Sequence, residues 1–467
     1  MLLKYKKVFF LGIKGVAMAN LAVILKKMGI EVTGCDVEEE FITDRLLKDN
    51  GIFWKSGFDK SLIDDKVDLF VFSAAHGGES NGLFKEAVKR GVETISQSKL
   101  IGRLMKGYEV KIAVAGCHGK TTTSSLLSFA LIRLKEECSY VVGTPYFSGF
   151  QGGDYLGKKY FVVEADEYGV DPPRDKTPKF FDLHPDWIIC TNIGFDHPDI
   201  YHNINETKEV FKKFFEGRNL ILNYDDINLR NYSSSDSHRK IIYYGFGDGA
   251  DYRISNLRTD VKGTKFEVWH GQGSKSKKGD YEISLFGKHN VLNATAVISL
   301  LLELGFEEKR IVESIRDFVG ARRRFEFIFN KGKITLFDDY AHHPDEIRAT
   351  ISAVRLRFPG KRIAVIFQPH TFSRTKALLK EFFDSLATAD FSIILPVFAS
   401  ARESEQKHPF SNAQIKGYKN LFFADSEPVL FGSLGRFLND ELVLFTMGAG
   451  DVYKLKDKLI KKISDGK

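Results

Sequence analysis

The run Gly119-Lys120-Thr121-Thr122-Thr123 carries the clearest chemistry in the chain. It follows an apolar stretch, Lys111 to Ala115, and precedes a predicted helix, Ser124 to Leu134. Backbone N–H groups at a helix start cradle phosphate oxygens, a lysine neutralises β/γ charge, and a threonine hydroxyl reaches Mg²⁺. Gly116, Gly119, Lys120, Thr121 and Thr122 are therefore candidates for nucleotide phosphates. The first glycine of the strict phosphate-loop pattern is missing, and a helix start capped by threonines is the plain alternative. Strand, loop and helix in the required order favour the phosphate loop.

A second strand, Phe161 to Glu164, ends in three acids within four residues, Glu164, Asp166 and Glu167. Carboxylates at the carboxyl end of an α/β strand face the ligand crevice, and Mg²⁺ takes one or two such oxygens beside phosphates. A solvated acidic loop explains the segment equally well when it is read alone. Further on, Ile188 to Asn192 runs into Asp196-His197-Pro198. His197 is either a metal ligand or a hydrogen-bonded loop histidine; with Glu164 upstream, ligation is favoured. Near the start, Gly12-Ile13-Lys14-Gly15 opens a helix after the first strand. As a dinucleotide fingerprint it is degraded, because Lys14 and Ala17 stand where glycines belong. A diphosphate still suits this helix start, with Lys14 adding charge and Asp36 placed for a ribose, against the alternative of a tight turn.

The last third repeats the theme. Asn290 and Asn293 stand at the start of a helix, where they fit a base edge, a ribose or a cap. Arg322-Arg323-Arg324 gathers three guanidiniums suited to bidentate phosphate contacts. Asp338-Asp339-Tyr340-Ala341-His342-His343 and Gln368-Pro369-His370-Thr371-Phe372-Ser373-Arg374 each follow a strand, and Arg374 suits a carboxylate.

Three fresh strand-to-loop starts, near residues 7, 111 and 362, position these groups. They imply an α/β protein of three domains: 1–107 Rossmann-like, 108–319 a phosphate-loop domain, and 320–467 Rossmann-like again. The length of 467 residues agrees, at roughly 150 residues per domain. Tyr243 to Leu285 is polar and β-rich, which suggests an antiparallel addition to the middle domain with a solvated hairpin loop, Gly271 to Gly279. With 43% hydrophobic and 28% charged residues, general disorder is excluded. A net charge of +7, from 68 basic and 61 acidic residues, suits anionic small molecules and is too weak to argue for nucleic acid. Cys35, Cys117, Cys138 and Cys190 lie far apart, so neither a disulfide framework nor a structural zinc site is expected, and a reducing compartment is. The apolar run Val8 to Leu11 is too short for a signal peptide, and no stretch approaches the ~20 apolar residues of a membrane span. A cytoplasmic protein without membrane insertion is expected.

In order along the chain, GIKGVAM, GCD, GCHGKTTT, EADE, DHPD, GKHNVLNA, RRRFE, DDYAHHPDE, QPHTFSRTKA and TMGAGD resemble the Mur ligase family. That family comprises the ATP-dependent enzymes that build the peptide stem of bacterial peptidoglycan. Within it, DDYAHHP, QPHTFSRT, Ala401-Arg402-Glu403 and Met447 to Asp451 are most similar to members that join L-alanine to UDP-N-acetylmuramate through an acyl phosphate. The resemblance implies ATP and Mg²⁺ as cofactors, with Gly12, Lys14, Gly15 and Asp36 at the UDP-sugar. Lys120, Thr121, Glu164 and His197 would serve ATP phosphates and metal; Asn290, Asn293, Arg324 and Asp339 would serve the nucleotide. Tyr340, His342 and Arg374 would face the amino acid, and Lys120, Glu164, His197 and Arg324 would carry the catalysis. A monomer or weak homodimer is expected.

The stretch Glu167 to Pro173, followed by Asp175 to Phe180, departs from this pattern and resembles members that recycle a ready-made tripeptide. Cys117 also departs, replacing the usual threonine of the phosphate loop. A non-catalytic UDP-sugar sensor is a third reading, but it would lose Lys120, Glu164 or His197, and all three are present.

Overall fold

The computed structural model describes residues 4–233, 236–260, 262–271, 276–398, 414–438 and 440–465. Ala401-Arg402-Glu403 lies outside the described residues. The first sheet comprises β1 (Lys7–Leu11), β2 (Glu31–Asp36), β3 (Phe53–Ser56), β4 (Leu69–Phe72) and β5 (Glu93–Ser96). All pairs are parallel, in the order β3-β2-β1-β4-β5. Strand β4 is buried at every position, as a sheet covered on both faces requires. Helices α1 (Val16–Lys27), α2 (Asp44–Asp49), α3 (Gly82–Lys89) and α4 (Gln97–Met105) connect these strands. The order reverses between β1 and β4, so the crevice for a ligand lies at their carboxyl ends. Gly12 and His76 stand there.

The second sheet has ten strands. Its parallel centre is built from β6 (Val110–Ala115), β7 (Cys138–Phe147), β9 (Tyr160–Glu164), β12 (Trp187–Cys190) and β13 (Asn219–Asn223), in the order β13-β12-β6-β9-β7. Strand β8 (Phe150–Asp154) pairs antiparallel with β7 at one edge. At the other edge follow β14 (Ile241–Gly245), β15 (Tyr252–Thr259), β16 (Thr264–His270) and β17 (Ser276–Ile283). The Tyr243 region differs from its expected antiparallel character: β14 and β15 both join in parallel. A separate hairpin, β10 (Gly169–Asp171) and β11 (Asp175–Pro178), occupies the segment that departs from the family pattern. Helix α5 (Lys120–Arg133) begins at the lysine, four residues before its expected start, because Gly119 turns the chain at φ +83° immediately ahead of it. Helices α6 (Ile204–Phe215), α7 (Lys288–Glu303) and α8 (Glu308–Arg316) follow.

The first two sheets share one apolar core, in which Leu21 and Ile24 of α1 join Val141 of β7 and Phe161 of β9. Asn20, fully buried on α1, donates from its amide to Val142 O at 2.7 Å and Thr144 O at 2.9 Å, both on β7.

The third sheet runs β18 (Glu326–Lys331), β19 (Ile334–Asp339), β23 (Leu442–Met447), β20 (Arg362–Phe367), β21 (Phe391–Ile394) and β22 (Leu421–Phe423). Only β18 is antiparallel. Period-two alternation feeds two cores: Val365, Phe367, Val443 and Phe445 face one way, and Ala364, Ile366, Leu442 and Leu444 the other. Helices α9 (Pro344–Arg357) and α10 (Phe372–Ala377) follow β19 and β20. By contacts the chain forms two compact units. One is Met1–Leu257, Lys265–Ile283 and Leu292–Ala321; the other is Arg258–Thr264, Ser284–Val291 and Arg322–Lys467. No helix among the described residues is long and apolar enough to cross a membrane. All four cysteines are free and buried.

Candidate active site

Three neighbouring strands of the second sheet, β9, β6 and β12, end side by side, and their carboxyl ends carry the candidate chemistry. After β6 the loop Gly116–Gly119 leads into α5. Gly116 adopts φ +128°, and a Cβ there would lie 2.2 Å from Thr191 Oγ1, so only glycine fits. Asn192, just past β12, accepts from the His118 N–H at 3.0 Å and donates to His118 O at 2.9 Å. Cys117 is tolerated because its thiol braces the loop: Sγ accepts from Gly194 N at 3.1 Å and donates to Gly194 O at 3.2 Å.

Lys120 sits over this loop. Its ammonium donates to Gly116 O at 2.6 Å, Cys117 O at 3.3 Å, and both Glu167 oxygens at 3.1 and 2.9 Å. Burial works against its charge, but the carboxylates of Glu167, Asp166 and Glu164 outweigh burial and hold its pKa above the ordinary lysine value. Thr121 Oγ1 donates to Glu164 Oε1 at 3.2 Å, and Glu164 Oε2 accepts from Gly143 N at 2.8 Å. His197 Nε2 lies 3.6 Å from Glu167 Oε1 and 3.8 Å from Asp196 Oδ2. Glu167, Asp196 and His197 each turn a ligand-type atom to within 4.8 Å of the others. Glu167 is buried, which opposes its charge, yet Lys120 and His197 keep its pKa below the usual carboxylate range.

Lys120, Thr121 and Glu164 are thus brought together, whereas His197 is paired through Glu167. Sequence reasoning saw Glu167 in the acid cluster without choosing it, and passed over Asn192 and Asp196. The signal available was position: Asn192 and Asp196 follow a strand adjacent to the phosphate-loop strand. Asn293, on α7, turns its Oδ1 to the Gly119 backbone, 2.7 Å from where a Cβ would lie.

In the first sheet, Lys14 and Asp36 are both engaged by the protein itself. Lys14 is buried, and its ammonium donates to Val37 O at 2.9 Å and Glu39 O at 2.7 Å, with Asp44 at 3.6 Å. It ties down the chain after β2. Asp36 is equally buried, accepting from Lys14 N at 2.7 Å and Val37 N at 2.8 Å. His76 Nε2 lies 3.1 Å from its Oδ1, so the carboxylate joins the loops after β1, β2 and β4. Gly12 and Gly15 remain at the turn into α1, with Gly15 as its N-cap.

In the second unit, Asn290 donates to Phe286 O at 2.8 Å, the backbone tie of a helix start. Arg323 is buried on Asp338 at 2.9 Å and on the carbonyls of Gly448 and Gly450, a structural guanidinium. Arg324 lies over the Tyr340 ring at 5.1 Å and 3.7 Å from Glu346. His342 meets Tyr340 edge-on at 5.2 Å and Glu346 at 3.2 Å. Arg374 is buried in α10, the helix that follows β20.

Asp339 accepts from Phe325 N at 2.9 Å and Ala341 N at 2.7 Å. Burial raises its carboxyl to about 6, against the pull of Arg324 and these N–H groups. A raised folded pKa contributes stability that is present below the unfolded value near 3.9 and lost as pH rises through 6. Relative to Asp339→Asn, which cannot titrate, wild-type unfolding free energy should fall by on the order of 3 kcal/mol between pH 4 and 7. Denaturant unfolding across that range measures it, and a pH-independent difference would contradict the raised value.

The fold and site define an α/β protein with a phosphate loop in its second sheet, a parallel sheet that precedes it in the chain and a third α/β sheet that follows it in the chain. Three family models match in register: "Mur ligase family, catalytic domain" over residues 7–109, "Mur ligase middle domain" over 114–301, and "Mur ligase, glutamate ligase domain" over 323–450. The chain belongs to the Mur ligase family. It is 35% identical to the UDP-N-acetylmuramate–L-alanine ligase of Desulfitobacterium hafniense, covering 97% of this chain and 99% of that protein. The same-named enzyme of Lactiplantibacillus plantarum is 37% identical over 96% of each chain. Among solved structures, the UDP-N-acetylmuramate-alanine ligase MurC of Thermotoga maritima superposes at TM-score 0.80 with 24% identity, covering 99% of this chain and 100% of that one. A murein peptide ligase of Psychrobacter arcticus follows at 0.75 with 21% identity, covering 98% and 99%.

Proposed function

We propose that this chain is an ATP-dependent ligase that joins L-alanine to UDP-N-acetylmuramate. The observation that carries the reading is Lys120, held over the phosphate loop by Glu167 beside the Thr121–Glu164 pair. The near-full-length relatives of that name support it. Forming an amide from a free carboxylate is uphill in water, so the carboxylate must first be activated. Its oxygen attacks the γ-phosphorus of ATP, the bond to ADP breaks, and an acyl phosphate forms. The alanine amine then attacks the acyl carbon, and phosphate leaves as the amine sheds its proton.

Lys120 exchanges Glu167 for phosphate oxygens and stabilises their developing charge. The donor chemistry of Thr121 with Glu164, and of His197 with Glu167 and Asp196, fits a hard divalent cation. Mg²⁺ bound there supplies neutralisation of the phosphates. Gly12 and Gly15 are assigned to the sugar-nucleotide diphosphate, and Gly116, Gly119, Thr122 and Asn293 to ATP. In the second unit we assign Asn290, Arg324 and Asp339 to the nucleotide, and Tyr340, His342 and Arg374 to the amino acid. We assign the reaction to the cytoplasm, a reading that the near-full-length relatives support.

The test is phosphate release from ATP with UDP-N-acetylmuramate plus L-alanine, glycine, L-serine or the stem tripeptide. Release that depends on L-alanine is expected. Release that answers only to the tripeptide would transfer the assignment to the recycling class, whose pattern the Gly169–Pro178 hairpin resembles.

A further inference from the structure

Lys179 belongs to no part of the machinery assigned so far. It follows the β10–β11 hairpin, and the backbone fixes it: Lys179 N donates to Tyr168 O at 3.0 Å, and Phe180 N donates to Asp166 O at 3.1 Å. Its ammonium donates to Asp166 Oδ2 at 2.7 Å and lies 5.4 Å from the Tyr168 ring centre. An ammonium has three donors, so this hydrogen bond leaves capacity for an anion.

Lys179 lines a cavity of about 140 Å³ within the first unit. Whole-ligand pockets run to roughly 300–1,000 Å³, so this one has room for a short arm and not for a nucleotide. One wall carries Gly143, Glu164 and Asp166; the other carries Gln97, Ser98 and Ala17. Ala17 is in the first turn of α1, two residues past Gly15, and Glu164 is hydrogen-bonded to Thr121 of the phosphate loop. The cavity therefore runs from the helix start assigned to the diphosphate toward the γ-phosphate position.

A carboxylate entering there meets two like charges, Glu164 and Asp166. Like charges brought together in a partly buried site repel strongly unless a cation offsets them. Among the described residues lining the cavity, Lys179 is the one cation. We propose that Lys179 receives the carboxylate of the acceptor's lactyl arm and holds it beside Glu164 for phosphorylation. This rests on the ligase reading above, and adds to it the residue that recognises the reacting group.

Calorimetric binding of two sugar nucleotides to the full chain tests it: UDP-N-acetylmuramate, and UDP-N-acetylglucosamine, which lacks the lactyl carboxylate. Lys179→Met should weaken the first by about 10- to 100-fold, as loss of a charge-assisted hydrogen bond implies, and leave the second unchanged. Lys179→Arg should recover part of the loss. Equal weakening of both ligands, or none, overturns the proposal, because a merely structural lysine would not distinguish them. A wild type that releases no phosphate with UDP-N-acetylmuramate and any amine would overturn the ligase reading itself; normal turnover with an indifferent Lys179→Met overturns only this assignment.

Discussion

Lys120→Met is expected to lower kcat/KM by about 10³-fold or more, a loss of roughly 4 kcal/mol of transition-state stabilisation. Methionine keeps the length and bulk of the stem, so the loop retains its packing while the positive charge disappears. The same change leaves Glu167, 1% exposed, without its main counter-ion. A stranded buried charge costs about 3–5 kcal/mol when its partner is removed, so the single variant loses stability as well as activity. Lys120→Met with Glu167→Gln separates the two effects. The double variant should regain much of the unfolding midpoint and none of the turnover. Near-wild-type phosphate release from either variant would defeat the phosphate-loop assignment.

Gly116→Ala should damage both the phosphate loop and the fold around it. Its φ of +128° is foreign to an L side chain, and the new Cβ would press on Thr191 Oγ1 at 2.2 Å and Asn192 O at 3.0 Å. Backbone strain of about 1–3 kcal/mol and overpacking of about 1–3 kcal/mol together give roughly 2–6 kcal/mol of destabilisation. Thr191 Oγ1 also donates to His118 O at 2.5 Å, so displacing it loosens the phosphate loop directly. ATP affinity should fall with thermal stability. Adding Thr191→Ala should restore part of the stability by removing the atom struck, and a second substitution without any benefit would show the clash to be absent.

The phosphate loop was readable because its chemistry is contiguous: strand, glycine turn, lysine and helix lie within fifteen residues, and no distant contact is needed to recognise them. The parallel sheets were readable for a related reason, since apolar runs ending in glycine or acid mark strands buried on both faces. What stayed hidden depends on which way a side chain turns. Glu164 and Glu167 look alike in a row of acids, yet only the chain's path after β9 decides that Glu164 meets Thr121 and Glu167 meets Lys120. Lys14 beside two glycines suggests a phosphate ligand, but the carbonyls of Val37 and Glu39 need a donor, and they take it. Asp36 was legible as an acid at the end of β2, not as the acceptor that closes the first loop. The pairing of β14 and β15 was missed because composition reports β character without direction.

The amide of Asn20 works as a crossbeam. By clasping two carbonyls of β7 from inside α1, it ties a helix of the first sheet directly to the second sheet. The two sheets also lie within one compact unit and share one apolar core. In the ligase proposed above, this tie would set the distance between the Gly12–Gly15 turn and the phosphate loop at Gly116–Gly119.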